Sequence, residues 1–261
     1  MGRKLSFYSF KGGSGRSTGL CNIAYSLAAQ GAEVGCIDFD VEAAGLNFIF
    51  EIPPGRLSRC RKVQEFLVTE EHRRVDSVDD FVVDLGQVKY RNQIDGGLYV
   101  VPAAINAELT AELPGEMQLM PSIEELFGRF EAEYDLDYLL IDSRSGVSNF
   151  AAPTLMQADE VVVFFRWSRQ HREGTAAMLP WLQSFLGAFG EAQIFSVASS
   201  IPGDIAEEQV DEFVEQRLEG VRGTEIVYEN ERLKKNEQIL THTDPESQTA
   251  REYGRLASRL S

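Results

Sequence analysis

Gly12, Gly13 and Gly15 lie in a tight run that is followed at once by a cation and two hydroxyls, Arg16, Ser17 and Thr18. Backbone without Cβ atoms can curl so that successive amides, here those of Gly12, Gly13, Ser14 and Gly15 onward, point at a single anion. A helix opening near Ser17 adds the positive end of its dipole at the same place. Phosphate suits this geometry: in the pattern GxxxxGK[ST] the lysine reaches the β- and γ-phosphates and the hydroxyl takes magnesium. Two positions depart from that pattern, with Phe10 at the first glycine and Arg16 at the lysine. Carboxylates that would complete such a site follow two apolar runs, in Asp38-Phe39-Asp40 and in Asp142-Ser143-Arg144-Ser145-Gly146. A magnesium nucleotide needs acidic groups at the carboxyl ends of neighbouring strands, which is where an open parallel sheet binds its ligands.

The elements that must position these residues alternate along the chain. Apolar runs predict strands at Leu5 to Phe10, Glu33 to Asp38, Gly97 to Val101, Tyr138 to Ile141, Glu160 to Phe165, Gln193 to Ala198 and Glu225 to Tyr228. Amphipathic stretches predict helices at Ser17 to Gln30, Ser122 to Glu133, Glu173 to Ala188, Ile205 to about Glu219 and Glu246 to Leu260. Strands and helices in turn imply crossover units on a doubly wound, mostly parallel α/β sheet, here as a single domain over residues 1–261. From about residue 51 to 88 the alternation stops, and Arg56, Arg59, Arg61, Lys62, Arg73 and Arg74 crowd together after the turn Pro53-Pro54-Gly55. This basic insertion reads either as a solvated helical excursion between two strands or as a surface for a partner or polyanion.

Composition narrows the function classes. With 41 Asp and Glu against 25 Lys and Arg the net charge is -16, which argues against non-specific DNA binding over the whole surface. The cations are 19 arginines and only 6 lysines. At 43% hydrophobic and 25% charged the chain has an ordinary globular composition. Its cysteines, Cys21, Cys36 and Cys60, have no CxxC spacing, so neither a disulfide framework nor a sulfur metal site is expected. His72, His171 and His242 show no ligand spacing. No signal peptide and no long uncharged apolar stretch is visible, so a cytoplasmic location is expected.

The loop and its two acidic partners resemble those of a known family. Lys11 ahead of the double glycine, in KGGSGRS, resembles the deviant Walker A motif of the ParA/MinD ATPases, usually KGGxGKT. Ile37 to Leu46 is similar to the family's first switch and Leu140 to Gly146 to its second, and Asp40 follows Arg16 by the family's interval between loop lysine and catalytic aspartate. The arginine loop together with the DSRSG segment resembles one branch of the family. The resemblance implies a phosphate-loop NTPase fold of the SIMIBI type, ATP as substrate and magnesium as cofactor. It implies that Gly12 to Thr18 wrap the phosphates, that Ser17 holds magnesium with Asp142, and that Asp38 supports that site. Asp40 would orient the attacking water. Lys11 would reach a second copy's phosphates in an ATP-dependent homodimer serving a partner protein. Arg16 leaves two outcomes open, slow hydrolysis or nucleotide binding with no turnover, because a planar guanidinium does not replace an ammonium conservatively.

Other signals are weaker. Ser196 to Asp204 lacks the Asn/Thr-Lys-x-Asp motif of guanine specificity, which favours adenine. Arg166, Trp167, Arg169, Gln170 and Arg172 form a connection that either lines the base or dimer face or is surface-exposed. MinD proteins end in a membrane-targeting amphipathic helix. Here Arg251, Arg255 and Arg259 make a short basic stripe beside Tyr253, Leu256 and Leu260, and docking of this helix on the domain is expected rather than membrane binding.

Overall fold

The computed structural model describes residues 2–69, 77–113, 115–146, 151–189 and 192–261. Arg73, Arg74 and His72 lie outside them. Among the described residues eight strands form one sheet: β1 (Arg3–Tyr8), β2 (Glu33–Asp38), β3 (Val83–Asp84), β4 (Gly97–Val101), β5 (Tyr138–Asp142), β6 (Glu160–Arg166), β7 (Gln193–Ile201) and β8 (Thr224–Tyr228). Their order is β3-β4-β2-β5-β1-β6-β7-β8, parallel throughout except for β3 on β4. The strand order reverses around β1, so the chain that leaves β1 and the chains that leave β2 and β5 emerge side by side.

Alternate residues of the strands face opposite layers, as the pleat requires. Val162 and Phe164 of β6 join Leu5, Phe7, Leu20, Leu256 and Leu260 under the first helix, α1 (Arg16–Ala29), and the closing helix Gln248–Leu260. Val161, Val163 and Phe165 face the other way, into the layer with Leu179, Leu182 and Leu186 of the helix Arg169–Phe189. Ile37, Val101, Leu139 and Ile141 pack under the helix Glu116–Tyr134 with Leu126, Phe127 and Phe130. Near-continuous apolar runs are what strands buried on both faces require. All three cysteines are buried free thiols.

The structure departs from the periodicity in identifiable places. The helix expected from Ser122 begins at Glu116 and carries Pro121 inside it. β3 is two residues long, too short to give a pattern. The basic insertion is not simply solvated: Val63, Phe66, Leu67, Val78 and Phe81 are core residues, and Arg61 lies over the Phe81 ring at 4.6 Å while pairing with Glu65. Arg56 and Arg59 are exposed.

The closing helix docks on the domain. Tyr253, Leu256 and Leu260 are buried, and Arg255 and Arg259 both pair with Glu225 of β8. Arg259 also donates to the Thr224 carbonyl at 2.7 Å, and Glu252 accepts the Tyr228 amide at 2.8 Å. Among the described residues no helix is long and apolar enough to cross a membrane.

Two helical glycines should respond oppositely to alanine. A Cβ on Gly19 of α1 would fall 2.5 Å from the fully buried Phe164 ring, whereas one on Gly128 of the helix Glu116–Tyr134 would meet nothing within 4 Å. Gly19→Ala should cost about 1–3 kcal/mol by overpacking. Gly128→Ala should add up to about 1 kcal/mol through helix propensity. Urea unfolding of the two variants measures both signs.

Candidate functional site: the phosphate loop and its carboxylates

The glycine loop leaves β1 at Ser9 and enters α1 at Arg16. Gly13 and Gly15 have φ of 77° and 81°, a left-handed backbone that side chains resist, and Gly15 is the N-cap of α1. Among the described residues no side chain caps this helix, which leaves its first amides at the loop without an intrahelical partner. Two neighbours brace the loop. Ser199 at the end of β7 donates its hydroxyl to the Ser14 carbonyl, and the Gly146 amide donates to the Ser9 carbonyl at 2.9 Å. Tyr8 closes that corner by donating to the Gly146 carbonyl at 2.6 Å. Phe10 packs its ring where a side chain on Gly174 would stand, about 2.1 Å from the position of a Cβ there. The aromatic in the first-glycine position therefore keys the loop to the helix Arg169–Phe189.

β2 and β5 are neighbours in register, Asp38 opposite Asp142, so two fully buried carboxyl groups end adjacent strands. The oxygens of Asp38 accept the amides of Asp40 at 3.2 Å, Gly45 at 3.0 Å and Leu46 at 3.1 Å. In this arrangement Asp38 shapes the loop that carries Asp40. Burial, and then the proximity of Asp142, pushes its pKa up to about 8, against the pull of the Leu46 and Gly45 amides. Asp142 is likewise raised by burial, with Arg16 and Ser17 opposing.

Arg16 joins the two segments. Its Nε donates to Asp142 at 2.5 Å and its Nη2 to Asp40 at 2.7 Å, while the Ser17 hydroxyl donates to the second Asp142 oxygen at 2.6 Å. Burial works against the Arg16 charge, but Asp142 and Asp40 outweigh it and hold the guanidinium above its ordinary pKa. Arg144 adds an outer link, pairing with Glu42 at 2.6 Å. Lys11 is exposed on the loop and donates to Gln170 at 2.8 Å. Beside it His171 is pushed down by burial, then by Arg166 and Lys11, which favours the neutral ring.

Two cavities meet at the loop. One of about 180 Å³ is lined by Ser9, the run Gly12 to Thr18, Asp40, Ala43 and Glu237. The other, about 350 Å³, runs from Gly13, Gly15 and Thr18 to Arg166, Ser200, Glu229, Asn230 and Lys234. The sequence points to Gly13, Gly15, Thr18 and Arg166 among these residues but not to Ser200, Glu229 and Asn230, which with Ser199 lie at the carboxyl ends of β7 and β8. Counting outward from β1 to the ends of those strands is the signal that would have found them.

A family model described as an AAA domain matches residues 2–189. Similarity also extends to the septum site-determining protein MinD of Bacillus subtilis, 25% identical over 163 residues, covering 62% of this chain and 53% of that protein. MinD of Pyrococcus horikoshii OT3, solved with Mg-ADP, aligns with 100% of this chain and 96% of that one, at a TM-score of 0.76 and 19% identity. The chain belongs to the ParA/MinD family of P-loop ATPases. A ParA family ATPase from Chlorobium tepidum TLS shares this family fold at a TM-score of 0.76 and 16% identity, covering 99% of each chain. This family member spans about half the length of the curated relatives it matches.

The raised Asp38 pKa gives a signed prediction. Folding favours its neutral form, so between about pH 4 and about pH 8 the folded protein holds a proton that the unfolded chain has released. Stability from this group is therefore fully present below about pH 4 and is lost as pH rises towards 8. In urea titrations without divalent metal, wild type should lose stability relative to Asp38→Asn across that window; parallel curves for the two proteins would contradict it.

Proposed function

We propose that this chain binds MgATP at the glycine loop, hydrolyses it slowly, and pairs with a second copy while ATP is bound, so that hydrolysis sets the timing of contact with a partner protein. The observation that carries this reading is the convergence of Asp40 and Asp142 on Arg16 beside uncapped α1 amides. Loop, helix end and two strand-end carboxylates are the parts a phosphoryl-transfer site assembles.

The donor set fits magnesium. Ser17 Oγ and an Asp142 oxygen are hard ligands already 2.6 Å apart at the loop, and this metal takes one or two protein oxygens and fills its other positions with water and phosphate. When bound, magnesium neutralises charge on the β- and γ-phosphate oxygens. Ser17 and Asp142 would hold it, and Asp38 keeps the Asp40 loop in place through three amides. The amides from Gly12 to Thr18 bind the phosphates. Asp40 orients the water that attacks the γ-phosphate, accepting a hydrogen bond from it. Lys11, exposed on the loop, supplies positive charge across a dimer to the other copy's phosphates. The larger cavity takes the ribose and base, and the absence of a guanine motif favours adenine.

A second reading, nucleotide binding without turnover, is favoured by the two carboxylates that Arg16 occupies. Phosphate release separates the two. Wild type should release phosphate, and Asp40→Ala should release it roughly 10²–10⁴-fold more slowly while still binding nucleotide. Background release by both proteins would sink the enzyme and leave the binder.

Dimerisation is checked by light-scattering mass. ATP should favour the dimer over ADP or no nucleotide, with the longest-lived dimer in Asp40→Ala. A constant monomer mass under all three conditions would remove the switch from this reading.

A further inference from the structure

Lysine and arginine at the end of a phosphate loop differ in what else they can hold. An ammonium is one compact charge, whereas a guanidinium presents five N–H donors in a rigid plane and can engage two oxyanions along different edges. Arg16 uses that capacity within the protein. It binds Asp142 through Nε and Asp40 through Nη2, with the guanidinium buried and Asp40 15% exposed. Charge-assisted bonds of this kind are roughly twice as strong as neutral ones, and burial removes much of the competition from water. The outer pair from Arg144 to Glu42 sits two residues beyond each aspartate and runs between the same two segments.

We propose that Arg16 is a latch on its own site: without nucleotide it holds Asp40 and Asp142 together, and ATP binds by drawing the guanidinium from those carboxylates to phosphate oxygens. This rests on the ATP reading above and adds the regulation of that site. No covalent bond changes; one set of anionic acceptors replaces another, and Asp40 is released to accept from water. The Asp40 contact is the more exposed and opens first. Because only the open form accepts phosphate, apparent affinity is reduced by the fraction of molecules that are open. A lysine at position 16 cannot span both carboxylates in one plane, so the arginine form of the loop carries a control that the lysine form lacks.

A double-mutant cycle tests this on the full chain. Wild type, Arg16→Lys, Asp40→Asn and the double variant are titrated with a non-hydrolysable ATP analogue and magnesium. Asp40→Asn keeps the side-chain shape but removes the charge that the guanidinium holds. With a latch that is open about a tenth of the time, Asp40→Asn should tighten binding by roughly 10-fold, and the gain should largely vanish in the Arg16→Lys background. Relief of simple repulsion between Asp40 and phosphate would tighten both backgrounds equally. Equal gains, or no gain, would overturn the latch while leaving ATP binding intact; binding by none of the four would overturn both. Amide hydrogen exchange without nucleotide supplies a readout independent of binding. Exchange over residues 39–46 should accelerate in Arg16→Lys and in Asp40→Asn, with no further increase in the double variant. Unchanged protection in both single variants would overturn the proposal whatever the titrations show.

Discussion

Two carboxyl groups at the ends of adjacent parallel strands, both removed from water, are the constraint around which this molecule is arranged. Register places Asp38 opposite Asp142, and neither can carry charge there without donors. The structure answers the two differently. Asp38 is met by three backbone amides, which fixes the path of the chain through Asp40 to Leu46. Asp142 is met by side chains of α1, the guanidinium of Arg16 and the hydroxyl of Ser17. One carboxyl thus builds backbone, while the other stays coupled to groups that can exchange partners.

The same division explains what was legible in the sequence. β2 and β4 match their predicted bounds, and the other five predicted strands shift by only a few residues, because buried strands write continuous apolar runs and their ends are marked by polar residues. The loop and both acidic segments were legible because glycine spacing and strand-end aspartates are local patterns. The bond from Arg16 to Asp40 was not, since it depends on side-chain direction across 24 positions. Nor was the clamp role of Asp38, which needs the backbone of Gly45 and Leu46 folded back over it. The cavity residues at the ends of β7 and β8 belong to no motif and are joined only by topology. The insertion showed its cations but not its core, because Val63, Phe66, Leu67 and Phe81 pack through short elements with no stable period.

Arginine dominates the cations of this chain, and the structure shows what that does at the site. Where the family pattern has a mobile point charge, this protein has a planar group that can satisfy two acids at once. Elsewhere arginines serve as ties between distant segments: Arg3 and Arg222 meet at Glu160, and Arg255 and Arg259 at Glu225. Both of those glutamates are nearly inaccessible to solvent. The four arginines of these ties stay partly exposed while the acids they hold are buried, so each tie neutralises an inward-facing carboxylate from the surface.

The contacts made by the closing helix bear on how anything else can attach to this protein. The Thr224 carbonyl and Tyr228 amide of β8 are already bonded to Arg259 and Glu252. At the opposite margin the sheet ends in β3, two residues long and running antiparallel to its neighbour. Among the described residues neither margin offers a long ladder of unused backbone groups, so recognition by strand addition, and edge-to-edge aggregation with it, is disfavoured at both ends. Helix faces and the loops at the carboxyl ends of the strands, where the glycine loop lies, are the surfaces left for any partner.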